Sequence, residues 1–190
     1  MCGRYYIEID EDELQDIVDA VEKESRGSGE QLTIKTSGEV FPTDVVPVQT
    51  GLKQYQAMKW GFVSYNGKPV INARSETAAE KPMFKQAMQE RRCLIPAGGY
   101  FEWQKSGAKR IKYRFHIPGS PLYFAGCYRQ EKNSPGCNFV ILTRQAPSGI
   151  DAIHDRMPVI IPHDRINAWL YHGPDAMKDS ITELSFSRVS

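Results

Sequence analysis

No apolar run in the chain approaches the ~18 residues that a membrane-spanning helix requires, and the N-terminal stretch is acidic where a secretory leader would be basic and then apolar. Both absences predict a cytoplasmic protein without a membrane partner. Cysteine is scarce. Cys2, Cys93, Cys127 and Cys137 are the only four in 190 residues and form no C-x-x-C pair, which argues against zinc-ribbon and thioredoxin-like frameworks. In a reducing compartment the last three read as small buried hydrophobes. His116, His154, His163 and His172 fall at no metal-ligand spacing, so neither a metal nor another cofactor is expected. Repeats, low-complexity tracts and linkers are missing as well, and 190 residues suit one domain, taken as 1–190.

Net charge is also almost absent, at +1, but it is unevenly spread. Residues 1–24 carry nine Asp/Glu against Arg4 and Lys23, a net of −7. Residues 25–190 carry 22 Lys/Arg against 14 Asp/Glu, a net of +8, enough for a face that holds a polyanion. What the chain does have is many short β-branched and aromatic runs bounded by Gly, Pro or Asn. Strands are predicted over Arg4–Ile9, Gln31–Lys35, Tyr55–Trp60, Cys93–Pro96, Ile111–Ile117, Leu122–Arg129, Asn138–Thr143 and Val159–Ile161. Asn133-Ser134-Pro135-Gly136 reads as a hairpin turn. Helices are few. One starts at an Asp10–Glu13 capping box and runs through Leu14, Ile17, Val18 and Val21. A second spans Lys81–Arg91 with Pro82 in its first turn, and a third spans Asp164–Leu170. The pattern predicts an α+β fold, predominantly β, built on a curved or barrel-like antiparallel sheet with short peripheral helices.

The most informative position is Cys2. Cleavage of the Met1–Cys2 bond would place an α-amine and a thiol on adjacent carbons. Both titrate near pH ~8. Such an aminothiol condenses with an aldehyde to an imine, which the thiol closes to a five-membered thiazolidine.

Four other segments stand out against a plain β domain. In Asn72-Ala73-Arg74-Ser75-Glu76 the Asn and Arg, two apart at a strand end, project to one side; the same residues also fit a turn and helix entry. In Gly98-Gly99-Tyr100-Phe101-Glu102-Trp103 the glycines permit a sharp turn or a close ligand. Glu102, between two aromatics, either faces solvent or is desolvated enough to serve as a general acid–base. His154, in Ile153-His154-Asp155-Arg156-Met157-Pro158, is a side chain suited to proton transfer at neutral pH. Trp60, Phe62 and Trp103, with Arg4 and Arg74, either pack a core or stack bases and grip phosphates of a single strand.

Taken together, Met1-Cys2-Gly3-Arg4-Tyr5, Trp60-Gly61-Phe62, Asn72 to Thr77, Arg92 to Ala97 through Glu102-Trp103, and His154 to Pro158 resemble the SRAP (SOS response-associated peptidase) family. The likeness is in register from residue 2 to about residue 170. It implies loss of Met1, by the protein's own peptidase-like activity, and a covalent link from Cys2 to the aldehyde of an abasic site in single-stranded DNA, shielding the lesion. Cys2 is then the nucleophile, Asn72 a hydrogen-bond partner of the linkage or terminus, Glu102 the acid–base for lyase-type sugar chemistry, and His154 the group that orients or protonates the sugar oxygen. Arg4 and Arg74 would hold phosphates. Trp60, Trp103, Pro42 and Thr143 would shape a channel at a single-strand/duplex junction. The chain departs from the family pattern at Gly98, often acidic, and at Lys59, often aromatic. Two other readings compete: an N-terminal-nucleophile amide hydrolase with Gly98 and Gly99 amides as oxyanion hole, and a non-catalytic single-strand-binding module.

Overall fold

A computed structural model describes residues 2–8, 19, 21, 33–131 and 136–189. Among the described residues fourteen strands follow in chain order: β1 (Tyr5–Ile7), β2 (Gly38–Val40), β3 (Val45–Gly51), β4 (Gln54–Trp60), β5 (Phe62–Val63), β6 (Pro69–Val70), β7 (Asn72–Arg74), β8 (Arg92–Ala97), β9 (Gly99–Ser106), β10 (Lys109–His116), β11 (Leu122–Gln130), β12 (Cys137–Gln145), β13 (Arg156–Pro158) and β14 (Ser185–Arg188). The helix α1 (Pro82–Glu90) precedes β8. The helix expected from Asp10, apart from Asp19 and Val21, which are helical, and the turn at Asn133–Pro135 lie outside the described residues, as do the first two residues of the strand expected over Gln31–Lys35. Among the described residues no helix is long and apolar enough to cross a membrane.

The larger sheet closes on itself. β11 pairs β8, β8 pairs β3, β3 pairs β4, β4 pairs β12, and β12 returns to β11. Five of its strands thus form a barrel, as the sequence led us to expect, except that one pairing is parallel: β4 runs alongside β12 at Asn138 and Phe139. β7 continues the parallel partnership at Ile141–Thr143, after the β5–β6 hairpin. A second sheet, ordered β14-β10-β9-β1-β2, is antiparallel throughout.

Alternation along the barrel strands explains their near-continuous apolar runs, because both faces are covered. Cys93, Ile95, Leu122, Phe124, Phe139 and Ile141 face the interior with Val46, Val48, Met58 and Trp60. Tyr5 and Tyr100 of the second sheet join this core, with ring centroids 5.9 and 6.1 Å from Phe124. Their neighbours Leu94, Tyr123, Ala125, Val140 and Leu142 face outward under Phe84, Ala87 and Met88 of α1 and under Trp169. The third expected helix is present as a 3₁₀ turn at His163–Arg165 leading into a π-helical turn at Ala168–His172, with Ile166, Trp169 and Leu170 buried. Arg92 satisfies its final carbonyls, donating from Nε to Trp169 O at 2.7 Å and from Nη2 to Leu170 O at 3.2 Å. The strand expected at Val159–Ile161 is displaced to β13, leaving Ile160 a lone bridge partner of Phe124.

Phe41-Pro42-Thr43-Asp44 makes a tight turn, the Asp44 amide donating to Phe41 O at 3.1 Å. Pro42 sits at its second position and Thr43 at its third with φ of 77°. That is the type II pattern, whose third position suits glycine; a β-branched residue there costs roughly 1–2 kcal/mol. Thr43 is exposed, so its side chain repays little through packing. Thr43→Gly should therefore stabilise the fold by on the order of 1 kcal/mol, raising Tm by roughly 2–4 °C. A lower Tm in calorimetry would show that the threonine is not strained.

Candidate active site

The chain enters the barrel core at its second residue. Cys2 is fully buried and packs with Tyr5, Trp60 and Tyr100 in the interior cluster. Asn72, the first residue of β7, donates from Nδ2 to the Cys2 carbonyl at 2.8 Å, and its Oδ1 is buried with no hydrogen-bond partner among the described residues. The parallel pairing of β7 with β12 brings it there. As expected for residues two apart, Ala73 is buried while Asn72 and Arg74 lie on the other face.

Glu102 is 4% exposed in the middle of β9. Burial pushes its carboxyl from 4.5 up to about 7. The cause differs from the expected sandwich between Phe101 and Trp103. Strand alternation turns those rings to the opposite face, where both lie near Lys112. Glu102 instead shares the inner face with Tyr100. The Cys2 thiol is pushed well above its ordinary range, first by burial and then by the nearby Glu102 carboxylate. This thiol stays protonated at neutral pH and needs a base to react.

His154 precedes β13 and places Nε2 4.0 Å from Glu102 Oε2. The Arg156 amide donates to its Nδ1 at 3.0 Å. Asp155 Oδ1 also lies 3.0 Å from that Nδ1; with Nδ1 accepting from the Arg156 amide, the ring hydrogen sits on Nε2, the nitrogen facing Glu102. Burial holds the imidazole below its usual pKa, in the neutral form that this bonding requires. Arg156 also grips Glu76 through two bonds of 2.7 and 2.9 Å and donates to Thr143 O at 2.5 Å. The hydrogen bond from Arg156 holds the Glu76 carboxyl down to about 2. The strands bearing Asn72 and the loop bearing His154 are therefore tied together by one ion pair.

The structure thus gathers Cys2, Asn72, Glu102 and His154. Arg74 is exposed at the end of β7, and Pro42 is partly exposed in its turn. Arg4 stacks 3.6 Å over Phe41 and lies 5.6 Å from the half-exposed Trp103. Two expected channel residues are corrected. Trp60 is fully buried, its indole N–H donating to Ile71 O at 2.9 Å and its ring stacked on Phe139. Thr143 is 1% exposed, its hydroxyl shared between Ala73 O and Arg156. Neither presents a surface to a strand.

The two glycines also have another reason than the expected turn or ligand approach. A Cβ at Gly98 would meet the Tyr6 ring at 2.7 Å, and one at Gly99 would meet Phe115 O at 2.3 Å. The Gly98 amide is spent on Tyr6 O at 2.9 Å, so it is no oxyanion donor. Among the described residues no group of His, Cys, Asp and Glu could hold a metal ion. Arg156 and Glu76 were visible in motifs but carried no sequence signal of their partnership. Glu39, which pairs with Arg4 at 2.6 Å, had none either, lying 35 residues away.

Comparison with known proteins gives a consistent picture. The family model described as "SOS response associated peptidase (SRAP)" matches residues 1–188. The chain is 31% identical over 193 residues to abasic site processing protein YoqW of Bacillus subtilis, covering 90% of this chain and 80% of that protein. It is 36% identical to YoaM of the same organism over 124 residues, 60% of this chain and 55% of YoaM. To YedK of Escherichia coli it is 34% identical over 116 residues, 58% of this chain and 52% of YedK. Solved structures agree on the fold. A Bordetella bronchiseptica protein matches with TM-score 0.75 at 21% identity over 100% of both chains. One from Bacteroides thetaiotaomicron matches with TM-score 0.72 at 23% identity over 88% of each.

The buried carboxyl has a measurable consequence for stability. Between pH 4.5 and about 7 folded Glu102 keeps a proton that the unfolded chain has released. Stability from this group is fully present below pH 4.5 and falls as pH rises through about 7, by on the order of 3 kcal/mol in total. Glu102→Gln removes that loss, so the variant's Tm relative to wild type should climb between pH 5 and pH 8. A difference that stays constant with pH would place Glu102 in contact with solvent or a cation.

Proposed function

The family model spans residues 1–188, so the chain belongs to the SRAP family, and from that premise we propose that it processes abasic sites in DNA. In this reading the processed Cys2 forms a thiazolidine with the ring-opened sugar aldehyde in single-stranded DNA, shielding the lesion. The relatives named abasic site processing proteins support the substrate. The observation that carries the chemistry is the placement of Cys2 against Asn72 and a buried, proton-holding Glu102.

Loss of Met1, by the protein's own peptidase-like activity, frees the Cys2 amine. The Asn72 amide grips the Cys2 carbonyl, and its Oδ1, which has no described partner, can accept from the freed amine. The amine adds to the aldehyde to give a carbinolamine. Glu102 protonates the departing hydroxyl, water leaves and an iminium remains. The thiol sulfur then attacks the iminium carbon while its proton passes to the Glu102 carboxylate, so the carboxyl ends as it began. A pKa of about 7 suits both halves of that cycle. His154 directs its Nε2 hydrogen toward Glu102 and the sugar oxygen, orienting the aldehyde. Arg4 and Arg74 hold phosphates flanking the lesion, and Trp103 and Pro42 bound the channel near a duplex end. The chain acts as one domain over 1–190 in the cytoplasm and uses no cofactor. An amide hydrolase with a Gly98 oxyanion hole has less support, since that amide is already committed.

Incubation with an abasic single-stranded oligonucleotide should give an SDS-stable adduct. Its intact mass should equal protein lacking Met1 plus the oligonucleotide minus one water. Cys2→Ala should abolish it, while Cys93→Ser, Cys127→Ser and Cys137→Ser should keep it. An adduct of wild-type yield from Cys2→Ala would sink the mechanism.

A further inference from the structure

A row of cations and rings runs from the segments flanking β2 across Arg4 to β9 and β10, and Lys35, Phe41, Lys112 and Phe101 within it take no part in the chemistry at Cys2. Lys35 Nζ lies 5.1 Å from the Phe41 ring centroid, and the Arg4 guanidinium stacks 3.6 Å from it. Arg4 is 5.6 Å from Trp103, Lys112 Nζ is 5.9 Å from the same ring, and Lys112 lies 3.9 Å over Phe101. Cation and aromatic thus alternate through Lys35, Phe41, Arg4, Trp103, Lys112 and Phe101.

Two carboxylates hold the three cations. Asp44 takes Lys35 at 3.1 Å, and Glu39 bridges Arg4 at 2.6 Å and Lys112. Partial burial raises the Glu39 carboxyl, but the hydrogen bonds from Lys112 and Arg4 outweigh it and leave it below its usual range. Its side chain is still 34% exposed. Pairs left partly open to solvent in this way contribute only ~0–1 kcal/mol, so another oxyanion can replace the carboxylate at little cost. Phe41, large and apolar, nevertheless stays 42% exposed beside these charges. Ordered cations that accept oxyanions, interleaved with rings open to stacking, match what a single nucleic-acid strand offers in phosphates and bases. An acidic peptide would use the cations and leave Phe41 idle. The row lies on the outer face of β9, opposite Glu102, and reaches the Cys2 segment through Arg4, two positions along the chain from Cys2.

We propose that this row is the track by which one single strand leaves the Cys2 site, a backbone phosphate displacing Glu39 from Arg4 and Lys112 while a base stacks on Phe41. The proposal rests on the reading of the protein as DNA-binding, and it gives new roles to Phe41, Lys112 and Glu39. Glu39 is then a built-in competitor that sets affinity. It keeps the cations in place when DNA is absent and must be displaced when DNA binds.

Fluorescence anisotropy with an undamaged single-stranded oligonucleotide, across a salt series, tests this apart from any crosslink. Lys112→Ala should weaken binding and reduce the slope of log K against log salt by ~0.7, and Lys112→Arg should restore both. Phe41→Ala should weaken binding by about fivefold or more with the slope unchanged. Glu39→Gln should tighten it. Thermal unfolding of each variant separates these effects from loss of fold. An unaltered slope in Lys112→Ala, weaker binding by Glu39→Gln, or equal capture of a poly-glutamate peptide would overturn the track. If these failures occurred while abasic DNA still formed the Cys2 adduct, the track would fall and the Cys2 chemistry would stand. The expected salt and stacking responses without an adduct would leave the track standing and remove the Cys2 chemistry.

Discussion

A ring of five strands cannot close with every neighbour antiparallel, because alternating directions around an odd ring leave one like-directed pair. Here that pair is β4 and β12, and the site depends on it. β12 accepts β4 at Asn138 and Phe139 and then β7, in the same direction, at Ile141 to Thr143. The chain must leave the barrel wall between the two, which it does through the β5–β6 hairpin. That return delivers Asn72 to the barrel rim beside Cys2. The far end of β12 pairs with β13, whose first residue anchors His154. One nine-residue strand therefore aligns two of the four proposed reactive groups.

The second constraint is electrostatic. A carboxyl buried on an apolar wall holds its proton to about neutrality, and the same burial keeps the neighbouring thiol protonated. Each group alone is poorly poised, the acid weak and the nucleophile masked. In the proposed chemistry the two would act together as a proton-transfer pair, so that the burial that costs stability would support the reaction. Arg156 is neutralised by Glu76, and Arg4 by Glu39, so neither draws the Glu102 carboxyl down.

Much of this is legible in the residues. The apolar runs of β8, β11 and β12 show as strands because alternate residues face two cores, and Pro82 marks the start of α1. β3 escapes the sequence pattern because Pro47 breaks it. A proline reads as an edge position, yet Pro47 lies within β3, where the only register with β8 is at Gln49 and Leu94. β2, β5, β6 and β13 are two or three residues long, too short to show a period. Motif logic singles out Cys2, Asn72, Glu102 and His154, which the fold places near one another, but it cannot tell which aromatics face outward. Trp60 and Trp103 look alike in sequence, and only the strand faces separate a core ring from a half-exposed one. The Glu39 bridge joins residues 35 and 73 positions apart and leaves no local trace.

The central claim is that the free aminothiol of Cys2 is the reactive group. A retained Met1 converts the Cys2 nitrogen to an amide, which cannot form an imine, and a thiol alone gives only a reversible hemithioacetal. A preparation containing both forms, analysed by intact mass spectrometry before and after exposure to abasic single-stranded DNA, separates the possibilities in one tube. The account predicts that the species lacking Met1 is consumed into a heat-stable adduct while the Met1-bearing species keeps its mass. Conversion of the Met1-bearing species into the same adduct would contradict it.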